Sequence, residues 1–129
     1  MLAFYEGDFM KKMKFTLKNN DINVINTDLF YKVIDNFIVF EINEWKIKIK
    51  CNSNNFIFIR ESDSDILTIS KDNEVLASFL TLRKENMSFD LEIKDFKYEF
   101  SDRYIHFGYK IVGSEESNIS TLLVFENNS

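Results

Sequence analysis

Apolar and polar residues alternate with period two along most of this chain, which is the mark of half-buried β-strands. The run MSFDLEIK, residues 87–94, places Met87, Phe89, Leu91 and Ile93 on one face and Ser88, Asp90, Glu92 and Lys94 on the other. DFKYEFS repeats the pattern with Phe96, Tyr98 and Phe100. RYIHFGYKI, residues 103–111, does the same with Arg103, Ile105, Phe107, Tyr109 and Ile111, leaving Tyr104, His106, Gly108 and Lys110 opposite. These runs predict three consecutive strands. Upstream, residues 14–18, 22–34, 37–42, 46–51, 55–60, 65–70 and 75–83 are rich in Ile, Val, Phe and Thr and read as strands as well, and 119–126 closes the set. Helical periodicity is scarce.

The breaks between these runs are polar: Asp35-Asn36, then 52–55, 71–74 and 113–118. The chain has no proline and three glycines, Gly7, Gly108 and Gly113. Its turns must therefore be built from Asn, Asp and Ser, which tolerate the left-handed backbone region better than other side chains. Asp35-Asn36 between two apolar runs predicts a tight hairpin of the type that needs positive φ at both central positions. Many short strands in sequence predict an all-β fold, an antiparallel up-and-down sheet closed into a barrel, because closure removes exposed strand edges. An open sandwich is the alternative.

The opening residues MLAFYEGDF lack this alternation. Glu6-Gly7-Asp8-Phe9-Met10 can be encoded by GAAGGAGATTTTATG, a purine-rich ribosome-binding element a short distance before an ATG codon, so Met10 is a candidate start. We accordingly read 1–13 as an N-terminal segment and 14–129 as a single barrel domain.

At 129 residues there is room for one well-formed core. With 45 % hydrophobic residues, fourteen Phe among them, the chain has ample surface to bury despite 29 % charged residues. A net charge of −5 argues against a nucleic-acid partner, which needs clustered Lys and Arg; Lys11, Lys12 and Lys14 form only a short basic group. The apolar runs are far shorter than the roughly 20 residues of a membrane-spanning helix. No signal-peptide pattern opens the chain. The expectation is a cytoplasmic protein without a membrane partner.

Chemistry is sparse. A single His and a single Cys, His106 and Cys51, offer no converging metal-ligand set, so no metal or cofactor is expected. No Ser–His–acid set can be assembled without His106, and as a lone strand histidine it reads as a structural or surface residue; no catalytic residue is assigned. Cys51 reads as a half-buried strand residue. ESDSDILTISKD lacks the glycine and terminal Glu of a calcium loop. Trp45, at a strand entry, suits packing at a barrel end.

The ordered motifs resemble the YwiB-like, calycin-type β-barrel family of bacterial proteins of unknown function. They are an aromatic strand and tight turn in LFYKVIDNFIVFE, a strand ending in arginine in NFIFIRES, the strand ILTIS, an F-x-T strand at Phe79-Leu80-Thr81, and the late strand Ile105 to Ile111. Two family glycines are missing, one replaced at Asp28 or Leu29 and one within Arg83-Lys84-Glu85-Asn86. The resemblance implies a lipocalin-like barrel with no established activity. In such a barrel Arg60, following Phe56-Ile57-Phe58-Ile59, reads as a clamp: its stem lies on the interior while its donors satisfy carbonyls at the rim. The alternative is a cation that binds a carboxylate or phosphate at the barrel mouth. Arg60, Tyr31, Thr81 and Tyr109 are the candidate ligand-binding residues. The expected function is binding of a small apolar or amphipathic molecule inside the barrel, by a monomer or homodimer. The alternative is a filled barrel acting through protein association, and an enzyme ranks third for want of a catalytic set.

Overall fold

A computed structural model of the chain describes residues 10–113 and 117–126. Eleven strands and no helix occur among them: β1 (Lys11–Asn19), β2 (Ile22–Ile34), β3 (Phe37–Ile42), β4 (Trp45–Cys51), β5 (Asn55–Glu61), β6 (Asp65–Asp72), β7 (Val75–Leu82), β8 (Met87–Asp90), β9 (Ile93–Phe100), β10 (Tyr104–Ile111) and β11 (Ser117–Phe125). All are antiparallel and belong to one curled, barrel-like sheet of order β8-β7-β6-β5-β4-β3-β2-β1-β11-β10-β9. The reading of the first nine residues, including the candidate start at Met10, concerns residues outside those described.

Up-and-down order holds from β1 to β8 and again from β9 to β11, but β8 and β9 do not pair with each other. Instead the segment from Met87 to Phe100 bonds first to β7 and then to β10. Leu91 N–H donates to the Ser78 carbonyl at 3.0 Å, and Glu92 accepts from Val112 N–H at 3.0 Å. The Ser78 hydroxyl also donates to the Leu91 carbonyl. One bent segment thus serves both ends of the sheet: three strands occur here as expected, but the run 87–94 divides after Asp90, its first half forming β8 and Ile93-Lys94 opening β9. The expectation that Met87 and Phe89 share a buried face also fails: they are 50 % and 43 % exposed. β8 is only four residues long and pairs only with β7, so little packs over it before the chain bends away at Leu91.

Turn chemistry explains how so few glycines suffice. Every described non-glycine residue with positive φ is Asn or Asp: Asn20, Asp21, Asp35, Asn36, Asn43, Asn73, Asn86 and Asp95. Asp35 and Asn36, at φ 52° and 66°, form the predicted two-residue hairpin turn between β2 and β3. Asp95 does something else. At φ 55° it lies in a β-bulge, where Lys97 pairs with Gly108 but Lys94 pairs with Lys110. The extra residue lets Ile93 and Phe96, three positions apart, both pack against the core.

The interior is filled unevenly. Near the rim formed by the β4–β5 turn, Phe56 packs its ring 5.2, 5.1 and 5.0 Å from those of Phe96, Tyr98 and Phe107. Tyr98 Oη then donates to the Asn52 carbonyl at 2.9 Å, tying β9 to that turn. Phe58 packs its ring tilted against that of Phe107 at 5.0 Å, and above it, toward the rim formed by the β5–β6 turn, aromatic packing gives way to aliphatic side chains and a cavity.

Candidate ligand-binding site

Strand alternation builds this cavity from same-face pairs. β1 supplies Phe15 and Leu17, β4 Trp45 and Ile47, and β5 Phe58 and Arg60. From across the interior come Tyr109 and Ile111 on β10 and Ile119 and Thr121 on β11. Leu67, Leu80 and Leu91 complete the wall, enclosing about 250 Å³. Direct cross-strand pairing runs Phe40, Ile47, Arg60, Leu67, Leu80 and Phe89 in one row over six strands, and Arg60 is its single charged member. That register answers why an arginine ends an apolar strand: it continues the inward-facing series of Phe56 and Phe58.

Among the described residues Arg60 clamps no rim carbonyl, although its position suggested that role. Its guanidinium carbon lies 4.6 Å from the centroid of the Trp45 ring, and its Nε is buried without a hydrogen-bond acceptor among the described residues. The clamp is Arg83, whose Nη1 donates to the Ser62 carbonyl at 3.1 Å and to Glu61 Oε2 at 2.9 Å. Immediately after β5, the Ser62 hydroxyl organises the turn by accepting from Ser64 and Asp65 N–H, both at 3.2 Å, while the Ser62, Ser64 and Asp65 carbonyls accept from Arg83 Nη1, Arg83 N–H and Ser62 N–H, so these rim carbonyls are served without Arg60.

Of the four candidate residues, Arg60 and Tyr109 line the cavity and Tyr31 and Thr81 do not. Tyr31 is buried near the opposite rim, its ring 5.2 Å from that of Phe125. Thr81 pairs with Ile66 and Ser88 on the outer face and shares a 2.9 Å hydrogen bond with the Ser88 hydroxyl. Thr121, Trp45 and the aliphatic wall were missed as cavity residues; the alternation of β11 contains the signal for Thr121, since it is an even partner of inward Phe107 across the ladder. Tyr109 is 5 % exposed and Thr121 4 %. Burial raises the Tyr109 hydroxyl pKa above its ordinary value, while the positive charge of Arg60 partly opposes the shift. The phenol therefore remains a donor at neutral pH.

On the outer face the lone imidazole has company that spacing did not reveal. His106 Nε2 lies 2.9 Å from Ser120 Oγ, and Nδ1 lies 3.4 Å from Glu99 Oε1. Hydroxyl, imidazole and carboxylate in a row are the parts of a hydrolase relay. Here they sit on β9, β10 and β11, and the latter two are internal strands whose backbone N–H groups are used in ladders on both sides. That leaves no donor pair for a developing oxyanion, so the cluster is a cross-strand polar network.

Cys51 is buried, 5 % exposed, and burial pushes its thiol up to about 12, which makes it inert as a nucleophile near neutrality. Among the described residues no group of three or more His, Cys, Asp or Glu is placed to hold a metal ion, and no helix is long and apolar enough to cross a membrane. Comparisons of the chain with protein-family models, with curated proteins and with solved structures find no match.

Proposed function

We propose that this protein is a binding module that holds a small amphipathic molecule inside its curled sheet, in the manner of a calycin-like barrel. The observation that carries the reading is the cavity itself: an apolar wall interrupted by three polar side chains, Arg60, Tyr109 and Thr121, of which Arg60 holds its Nε buried without a hydrogen-bond partner among the described residues. Buried polar groups are ordinarily satisfied, and a pocket lined by hydrophobic side chains with a few convergent polar atoms is the usual form of a small-molecule site. A filled barrel that acts only through its surface has no use for a buried, unpartnered guanidinium nitrogen beside a cavity.

Native mass spectrometry of freshly purified protein tests this. A co-purified small molecule, released by gentle activation and absent from a cavity-blocking Ile119→Trp variant that keeps its β-sheet circular dichroism, is the expected result. Failure of the wild-type protein both to carry an adduct and to take up octanol or octanoate at millimolar concentration would overturn it.

A further inference from the structure

We infer that the cavity selects an anion: a short amphipathic molecule whose carboxylate-type head docks on Arg60 and whose apolar body lies along the aliphatic wall. This rests on the binding role proposed above and adds the charge and the size of the ligand. The chain as a whole carries −5, yet among the described residues no Asp or Glu lines the cavity and its one charged group is a cation. Arg60 is half-buried among apolar neighbours, its Nε is buried without an acceptor, and no described carboxylate pairs with its guanidinium, a placement that carries a cost. An incoming carboxylate would meet an electrostatic partner that the fold has left open.

The geometry suits a head group rather than a diffuse charge. Trp45 covers one face of the guanidinium at 4.6 Å, which restrains its plane and leaves the in-plane N–H donors for bidentate contact. Tyr109 and Thr121 add hydroxyl donors from the facing strands β10 and β11. Leu67 and Ile47 flank Arg60 in the cross-strand row, so a chain attached to the head passes directly onto hydrocarbon. At about 250 Å³ the cavity is smaller than the 300–1,000 Å³ usual for drug-sized ligands, which favours a short body over a long acyl chain.

The test uses three probes of equal length, octanoate, octanol and octylammonium, with hexadecanoate as the long probe and inorganic phosphate as an anion without a body. Binding to the full chain is read by thermal shift and by fluorescence of Trp45, the only tryptophan. Octanoate is expected to bind about ten- to a hundredfold more tightly than octanol, the range for charge-assisted hydrogen bonds, and to change Trp45 emission. Octylammonium, phosphate alone and hexadecanoate are expected to bind more weakly than octanoate. Arg60→Gln should bring octanoate down to the affinity that octanol shows for the same variant. If octanol equals or exceeds octanoate in the wild-type protein, the charge inference fails while the binding role stands; tighter binding of hexadecanoate would overturn the size limit. If none of the probes binds, both fall. The wild-type series keeps the inference testable even where the Arg60 variant does not fold.

Discussion

The guanidinium of Arg60 stacks 4.6 Å from the Trp45 ring while its Nε, buried, meets no acceptor. These two residues belong to adjacent strands, and Ile47, two positions after Trp45 on the same face, pairs directly with Arg60. The stacking offsets part of the cost of placing a cation against an apolar wall, by roughly 0.5–2 kcal/mol. The burial of Nε is not offset by any hydrogen bond among the described residues.

A contrast between the two arginines follows. Arg60→Met keeps an apolar stem, removes an unpaired charge and strands no carbonyl, so urea unfolding should show stability within about 1 kcal/mol of wild type, or above it. Arg83→Met instead strips the Ser62 carbonyl and the Glu61 carboxylate of a donor. It should lower stability by about 1 kcal/mol, the upper range for a partly exposed pair plus one neutral acceptor. A larger loss at Arg60 than at Arg83 would restore the clamp to Arg60.

Strand existence and the inward series were legible from period two because each strand buries one face, and the breaks were legible because Asn and Asp can take the backbone conformations that glycine would otherwise supply. The β8–β9 crossing was not legible: MSFDLEIK alternates without interruption, and only the hydrogen bonds that Leu91 N–H donates to Ser78 and the Glu92 carbonyl accepts from Val112 show the chain changing partners. Pairing partners lie far apart in sequence and leave no mark on local periodicity. The same reason hid the site. Arg60 and Tyr109 could be suspected singly from their strands, but that Thr121 faces them, and that Tyr31 packs near the other rim, depends on register.

Asn36, at φ 66°, tests the turn chemistry. Asn36→Ala places a Cβ-bearing side chain without local hydrogen-bonding ability in the left-handed region and should cost about 1–2 kcal/mol in chemical denaturation. Asn36→Gly should hold or gain stability, because Asp-Gly is a preferred pair for this hairpin. Equal losses in both variants would show that the Asn36 side chain, rather than its backbone angle, is what matters.

Tyr98 joins the closing strand to the β4–β5 turn through one hydrogen bond of 2.9 Å to the Asn52 carbonyl. Tyr98→Phe preserves the ring packing on Phe56 and Phe96 and removes only that donor. The expected loss is about 0.5–1.5 kcal/mol by urea denaturation. Faster amide exchange at Asn55, whose N–H also bonds to Asn52, should accompany it as the turn loosens. Unchanged exchange and unchanged stability would mean that β9 is held by ring packing alone.

Cys51 gives a pH dependence with a definite sign. Its thiol rises from an ordinary value of 9.0 to about 12 in the folded protein because burial penalises the thiolate. Between those two values the unfolded chain has released the proton and the folded chain still holds it, so the folded state binds more protons and stability falls as pH rises. The contribution is fully present below pH 9 and is lost as pH climbs toward 12, with a slope approaching about 1.4 kcal/mol per pH unit from this group. Tyr31, Tyr98 and Tyr109, whose hydroxyls burial also shifts upward, add to the loss above their ordinary value of 10.0. Cys51→Ala cannot titrate, so although the lost sulfur lowers its stability at every pH, its curve of unfolding free energy should be flatter than wild type from pH 9 to 10. Parallel curves for the two proteins would show that the thiol ionises as readily in the folded chain as in the unfolded one, and would contradict its burial.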